Sequence, residues 1–310
     1  MNILITGAAG YVGSQLGARL AAKHHVIGVD IRPRQNMGFP IQALDIRDPK
    51  LEHLLRQESI SHVVHLAAVL EDSGDRQRDF DIDVNGSRNV LDCCLQAGVK
   101  HLTVTSSGAA YGYHPDSPAW LSENDPLRGN AEFAYSDHKR QVEELLAEYR
   151  QQHPQLAQLV LRVGTVLGAD TNNLITAVFA QRALIGVRGS DSPFVFIWDQ
   201  DLVQIIHDGV LQSKAGQFNV AGDGALPLRE LAQKLGKPYL ALPPWLLRSA
   251  LRLGQLLGLG RYGPEQVRFL QYRPVLANTA LKTSFGYTPQ KTSAEVFAYF
   301  VEHARSRGRL

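Results

Sequence analysis

The sequence predicts a doubly wound α/β protein: a parallel sheet covered on both faces, with a smaller, mostly helical C-terminal substrate lobe. Three observations carry this. Short runs of Val, Ile and Leu alternate with helical patterns through the first half of the chain. A glycine-spaced stretch, "ITGAAGYVG", joins the first run to the first helical pattern. Beyond about residue 165 the alternation gives way to helix punctuated by Pro and Gly. Near-continuous apolar strands suit a parallel sheet buried on both sides, and their alternation with helices is the βαβ rhythm.

The strands are expected at "NILIT" (2–6), "HVIGVD" (25–30), "IQALD" (41–45), "HVVHLAA" (62–68), "HLTVTSS" (101–107) and "QLVLRV" (158–163). Helical patterns fill 11–22, 51–58, 81–97 and 135–152. Later, 172–184 reads as helix, and "FVFIW" (194–198) and "FNVAG" (218–222) read as strands. Residues 1–168, with 194–222 returning to them, make the nucleotide-binding lobe. Residues 169–193 and 223–310 make the substrate lobe.

A chain of 310 residues can bury a large core. Its net charge of +2 argues against attraction to nucleic acid or membrane. Adjacent Cys93 and Cys94 point in different directions on a helix, so they form no mutual disulfide. No Cys/His spacing suggests a metal site. The chain opens on a strand without a basic leader, and no apolar run is long enough to span a bilayer. A cytoplasmic protein acting on a small molecule is expected.

Gly7, Gly10 and Gly13 lie between the first strand and first helix. Glycines there permit a tight turn and let a pyrophosphate approach the backbone at a helix N-terminus. Asp30 ends the second strand about twenty residues later. Its carboxylate suits the two ribose hydroxyls and repels a 2′-phosphate, which favours NAD over NADP. Arg32 and Arg34 follow it and would suit a 2′-phosphate or solvent. Asp45 would accept from the adenine amino group or cap a turn.

Two Tyr-x-x-x-Lys pairs occur, Tyr135/Lys139 in "YSDHK" and Tyr287/Lys291 in "YTPQK". Pro289 separates the second pair and disfavours a helix through it. Tyr135 opens a long pattern free of Pro and Gly, so both side chains share a helix face. Ser106 and Ser107 end the fifth strand, where ligands of such sheets sit. Moving a hydride at a carbinol carbon requires a proton to leave or join the oxygen. A tyrosine beside a lysine supplies that proton transfer, and Ser107 would hold the substrate oxygen.

"TGAAGYVG", "HLAA", "DVNGSRNVL", "TSSGAAYG", "YSDHK" and "LRVGTVLG" together resemble the successive motifs of the extended short-chain dehydrogenase/reductase superfamily. The closest match is its NAD-dependent epimerase/dehydratase branch, typified by UDP-galactose 4-epimerase. The resemblance covers most of residues 1–225 and implies a Rossmann-type lobe. It assigns Ser107, Tyr135 and Lys139 as catalytic, with Asn85 supporting a proton relay. It implies NAD contacts at Gly7, Gly10, Tyr11, Val12, Gly13, Asp30, Ile31, Arg32, Asp45 and Ile46. Further along, Leu66, Ala67, Ala68, Ser106, Tyr135, Lys139 and Val163 would line the cofactor. Ser107, Gly108, Asn173, Phe194 and Arg273 would meet substrate. The resemblance also implies a homodimer through 81–97 and 135–152, whose outward positions include Leu95, Leu145 and Leu146.

The chain departs from that pattern in places. Val163 stands where the family usually has proline. Asn173 fits a nucleotide-sugar contact or a helix cap. Phe194 stands where many sugar-nucleotide enzymes place a diphosphate-binding arginine, which argues against a UDP-sugar. The apolar stretch 243–263 reads either as the lining of a pocket for an apolar alcohol or as an amphipathic helix packed on its lobe. Arg188, Arg268 and Arg273 remain to meet phosphate. Three readings stand: an epimerase or dehydratase on an activated sugar, a dehydrogenase of a more apolar alcohol resembling hydroxysteroid dehydrogenases, and a non-catalytic NAD sensor. The Ser/Tyr/Lys set argues against the last.

Overall fold

The computed structural model describes residues 1–70, 73–257 and 263–310. The first part of the chain forms β1 (Asn2–Thr6), α1 (Tyr11–Ala21), β2 (His25–Asp30), β3 (Ile41–Ala43), α2 (Lys50–Gln57) and β4 (His62–His65). Then come α3 (Arg76–Phe80), a π-helical turn at Asp81–Asn85, α4 (Gly86–Ala97), β5 (His101–Ser107), α5 (Ala134–Gln152) and β6 (Ala157–Val163). They are followed by β7 (Thr165–Leu167), α6 (Leu174–Ala180), β8 (Leu184–Val187), β9 (Phe196–Trp198), α7 (Asp199–Leu211) and β10 (Gly216–Val220). The chain finishes with α8 (Leu228–Leu235), β11 (Tyr239–Leu242), α9 (Pro244–Leu256), α10 (Gln266–Gln271) and α11 (Ser293–Ser306).

Seven strands form one parallel sheet in the order β10-β6-β5-β4-β1-β2-β3. The order reverses between β1 and β4, and a crevice opens there at the carboxyl ends of the strands. Alternation along β1 divides the core. Leu4 faces a layer with Leu51, Leu91 and Leu146, while Ile3 and Ile5 face one with Leu16, Ile205 and Phe285. A separate aromatic core gathers Phe179, Phe194, Phe196, Phe297 and Phe300. This is the doubly wound α/β fold the alternation predicts.

Two local expectations change, and a third stretch takes one of the two forms expected of it. The helix expected over 172–184 ends at Ala180, and Leu184–Val187 becomes a strand paired in parallel with Tyr239–Leu242. The partner strand lies far along the chain, so local periodicity carries no sign of it. Leu145 and Leu146 face the core at 4% and 1% exposure, not outward, because α5 covers the sheet with that face. Within the apolar stretch 243–263, Pro244–Leu256 forms α9, an amphipathic helix of which Leu247 is the buried residue; residues 258–262 lie outside the described ones.

Candidate active site

The first βα turn is built as a phosphate cradle. Gly7 adopts φ +67°, and a Cβ there would sit 2.8 Å from the Ala67 nitrogen. A Cβ at Gly13 would collide with the Gly7 carbonyl. Gly10 is the N-cap of α1 and makes no side-chain cap, so the first-turn N–H groups remain available to an anion. Asp30 is anchored beside this loop: Oδ2 accepts from the Ala9 N–H (3.0 Å) and Oδ1 from that of Arg32 (2.9 Å). A carboxylate has about four lone-pair sites, so two remain for ribose hydroxyls. The cradle and the acid fit a dinucleotide.

Ala67 and Ala68 follow β4 beside Gly7, where Leu66 and Ala67 donate backbone N–H groups to Thr6 Oγ1 (both 3.2 Å). Val163 lies in register with Ser107 across β5 and β6. Ile31 is 63% exposed just past Asp30. Val12 packs partly buried on the core beneath the loop. Several of the expected residues have partners within the chain. Tyr11 donates its phenol to Asp199 Oδ2 (2.5 Å), at a cleft of about 320 Å3 bordered by α1 and α7. Burial, with Asp199 beside it, pushes that phenol up to about 12. Asp45 turns to Arg47, accepting from its backbone (2.9 Å) and guanidinium (2.7 and 3.0 Å). Ile46 is buried in the core against Gly86. Ser106 points under the sheet, donating to Glu143 Oε1 (2.5 Å). Glu143 in turn holds Arg162 in a buried pair at 2.8 Å.

The expected catalytic side chains gather at the end of β5. Ser107 caps a 3-10 turn, its Oγ accepting from the Ala109 N–H (3.1 Å), which leaves the hydroxyl hydrogen for another acceptor. Ser136, next to Tyr135, donates to the Ala109 carbonyl (2.7 Å) and so ties the start of α5 to this turn. Lys139 places Nζ 5.7 Å from the Tyr135 ring centre and 3.4 Å from the Thr105 carbonyl. Tyr135 packs with Tyr113 and Phe133.

Asn85 does not join them. It is exposed and donates to Asp81 Oδ1 (2.9 Å). The inward polar residue of this turn is Asp83, 4% exposed, which accepts from the Val69 N–H (2.8 Å) and lies 3.4 Å from His138 Nδ1. Asp83, His65, Ser87, Thr105 and Lys139 border a cavity of about 10 Å3, about the size of one water molecule. His65 bonds Thr6 (2.7 Å) and Ser87 (3.1 Å), and burial, with Lys139 nearby, pushes its pKa down to about 4. Sequence reasoning missed Asp83 because nothing local says which residue of "DVN" turns inward.

The substrate side differs more. Gly108 is buried against Leu276. Asn173 caps α6 through a capping box with Thr176, the alternative left open for it. Phe194 is 3% exposed. Over its ring sits the Arg273 guanidinium, 3.8 Å from the ring centre and 3.9 Å from that of Phe269. Arg273 donates Nε to Ser192 Oγ (3.2 Å) and has no carboxylate partner among the described residues. Burial pushes its pKa down, the mark of a charge that has lost water without gaining a counter-ion. Arg268 is instead paired with Glu132 (3.0 Å), and Arg188 is exposed.

Comparison with known proteins extends this. An uncharacterized protein of Mycobacterium tuberculosis is 26% identical over 99% of this chain and 84% of its own length. The N-acetyl-alpha-D-glucosaminyl-diphospho-ditrans,octacis-undecaprenol 4-epimerase of Escherichia coli O157:H7 is 30% identical over 55% of this chain and 50% of its own. The UDP-glucose 4-epimerase of Thermus thermophilus, solved with NAD, superimposes with a TM-score of 0.76 at 25% identity, covering 98% of this chain and 99% of that one. The model of the NAD dependent epimerase/dehydratase family matches residues 3–203. With its glycine cradle, Asp30 and seven-stranded parallel sheet, the chain belongs to the NAD-dependent epimerase/dehydratase family and is an NAD-dependent enzyme of the short-chain dehydrogenase/reductase type.

Proposed function

We propose that the enzyme acts on a secondary alcohol or ketone carbon of a sugar carried on a diphosphate, with Tyr135 as acid/base. The observation that carries this reading is Arg273. The sequence suggests that Phe194 removes a phosphate-binding cation. In the fold, the Arg273 guanidinium lies over that ring, which supports a cation in this role. Its hydrogen bond to Ser192 uses one of the five N–H donors a guanidinium offers. A desolvated cation of this kind is stabilised by a bound anion, and a diphosphate matches its fork. Named substrates of the similar proteins, UDP-glucose and a polyprenyl-diphosphate sugar, share that group. The apolar-alcohol reading loses its main support, because α9 exposes most of its apolar side chains.

In this reading the glycine loop and Asp30 hold NAD, which supplies the hydride acceptor. Ser107 donates its hydroxyl hydrogen to the reacting oxygen, and Tyr135 takes or returns the proton there. Lys139 shares the helix face of Tyr135, with its Nζ 5.7 Å from the phenol ring centre. Asp83 borders the small cavity beside Lys139 and keeps it polar. Val163 and Ala68 would flank the cofactor. A cytoplasmic homodimer remains part of the proposal, but Leu145 and Leu146 take no part in its interface.

Calorimetry with UDP tests the diphosphate site. Arg273→Met should weaken UDP binding tenfold or more while leaving NAD affinity unchanged, given about 1.5–3 kcal/mol for hydrogen bonds to charged groups. Equal UDP affinity in both proteins would remove the diphosphate from the proposal.

A further inference from the structure

Of the twelve large apolar side chains left exposed among the described residues, seven are Ile185 and residues within 240–257. α9 rests on the protein through Leu247, which packs with Val187 and Val267. Its outer side carries Leu246 and Leu253, seven residues apart on one stripe, flanked by Trp245 and Leu256. Trp245 is 66% exposed and Leu256 77%. The patch continues onto the small sheet. Ile185 and Leu240 are paired and share a face with Val187 and Leu242 by strand alternation. Leu242 and Val187 pack with Leu247 of α9, and Ile185 and Leu240 stay exposed beside it.

The two chain segments that form this patch carry charge of one sign. Residues 236–257 and 181–190 contain Lys237, Arg248, Arg252, Arg182 and Arg188 and no Asp or Glu. The four arginines are exposed, and none has a carboxylate partner among the described residues. A whole-chain charge of +2 hides this local excess. A symmetric contact with a second copy would set the patch on itself and bring these arginines together. An anionic bilayer meets both properties: the apolar stripe enters the acyl boundary and the arginines meet headgroups. Among the described residues no helix is long and apolar enough to cross a membrane, so the contact is with its surface.

We propose that α9 and the adjoining Ile185–Leu240 edge form a docking surface for an anionic lipid bilayer. Vesicle flotation of the full chain tests it, using phosphatidylcholine alone and phosphatidylcholine with phosphatidylglycerol. The wild type should float with the anionic vesicles and not the neutral ones, with a blue shift of tryptophan emission that Trp245→Phe removes. Both Leu253→Glu/Leu256→Glu and Arg248→Glu/Arg252→Glu should reduce binding by roughly tenfold or more. All four sites are exposed, so thermal unfolding and NAD affinity should match wild type and show that the fold is retained. The proposal is overturned if the wild type stays in solution with both vesicle types, or if the two variants float as well as it does. It is also overturned if vesicles are ignored and Leu253→Glu/Leu256→Glu splits a dimer in sedimentation, since a second copy would then cover the patch.

Discussion

Tyr135/Lys139 and Tyr287/Lys291 have the same spacing and opposite surroundings. In the first pair one helix holds both residues, and the ammonium lies 5.7 Å from the ring centre of its own tyrosine. In the second the partners separate. Tyr287 donates to Asp201 Oδ1 (2.7 Å), while Lys291 stacks over Trp198 at 4.7 Å. Burial, with Asp201 beside it, pushes the Tyr287 phenol upward, so it keeps its proton. A phenol beside a cation is suited to give and take a proton; a phenol bonded to a carboxylate is a structural donor. The neighbour's charge, not the four-residue spacing, separates the two.

Substitution should break this symmetry most sharply at the phenols. Tyr135→Phe should lower kcat by about 10²–10⁴, the range for general acid–base catalysis, with NAD binding retained. Tyr287→Phe should leave kcat near wild type. Comparable losses in stopped-flow turnover would mean that the wrong pair has been assigned.

Asp201 gives the next largest effect. It is fully buried and accepts from the Tyr287 phenol and the Gln290 N–H (3.1 Å). Asp201→Ala strands both donors and should cost about 1–3 kcal/mol in urea unfolding. A matching loss of NAD affinity would tie this second cluster to the active site and blur the contrast.

Alkaline pH sharpens the comparison. The folded-state pKa of Tyr287 is raised, so its contribution is present below the unfolded tyrosine value of about 10 and is lost as pH rises above it. Stability should therefore fall above pH ~10, by up to about 1.4 kcal/mol per pH unit from this group. The fall should be shallower in Tyr287→Phe, as denaturant midpoints measured at successive pH values will show. An identical slope would mean the carboxylate does not hold the proton.

Lys291→Met should have the smallest effect. Loss of its contact with Trp198 should cost about 0.5–1 kcal/mol, with turnover unaffected. Lys139→Met should instead reduce turnover, and a Lys291 variant that does the same would erase the distinction.

The site was legible where its chemistry is local. The glycine spacing, the acid ending β2 and the Tyr-Lys helix face are each set within one turn or element, so a single stretch of residues states them. The parallel sheet was legible for the same reason: most of its strands are apolar runs that imply two covered faces whatever covers them. Asp83 was not legible, because the π-helical turn at Asp81–Asn85 decides which of its residues faces Lys139. Nor was the pair of strands Leu184–Val187 and Tyr239–Leu242, whose apolar residues fit helix or strand until each has the other to bond.

By itself, then, the sequence determined the alternating architecture, the nucleotide cradle and the presence of a Ser/Tyr/Lys set, since propensity and side-chain chemistry act within a few residues. Only the tertiary structure decided that a cation lies over Phe194 and that α9 turns its leucines outward. Arg273 reaches that ring from a distant part of the chain, and the exposed face of α9 is whatever the contact through Leu247 leaves uncovered. Both depend on which surfaces meet when the chain closes, and burial and charge pairing are properties of that meeting.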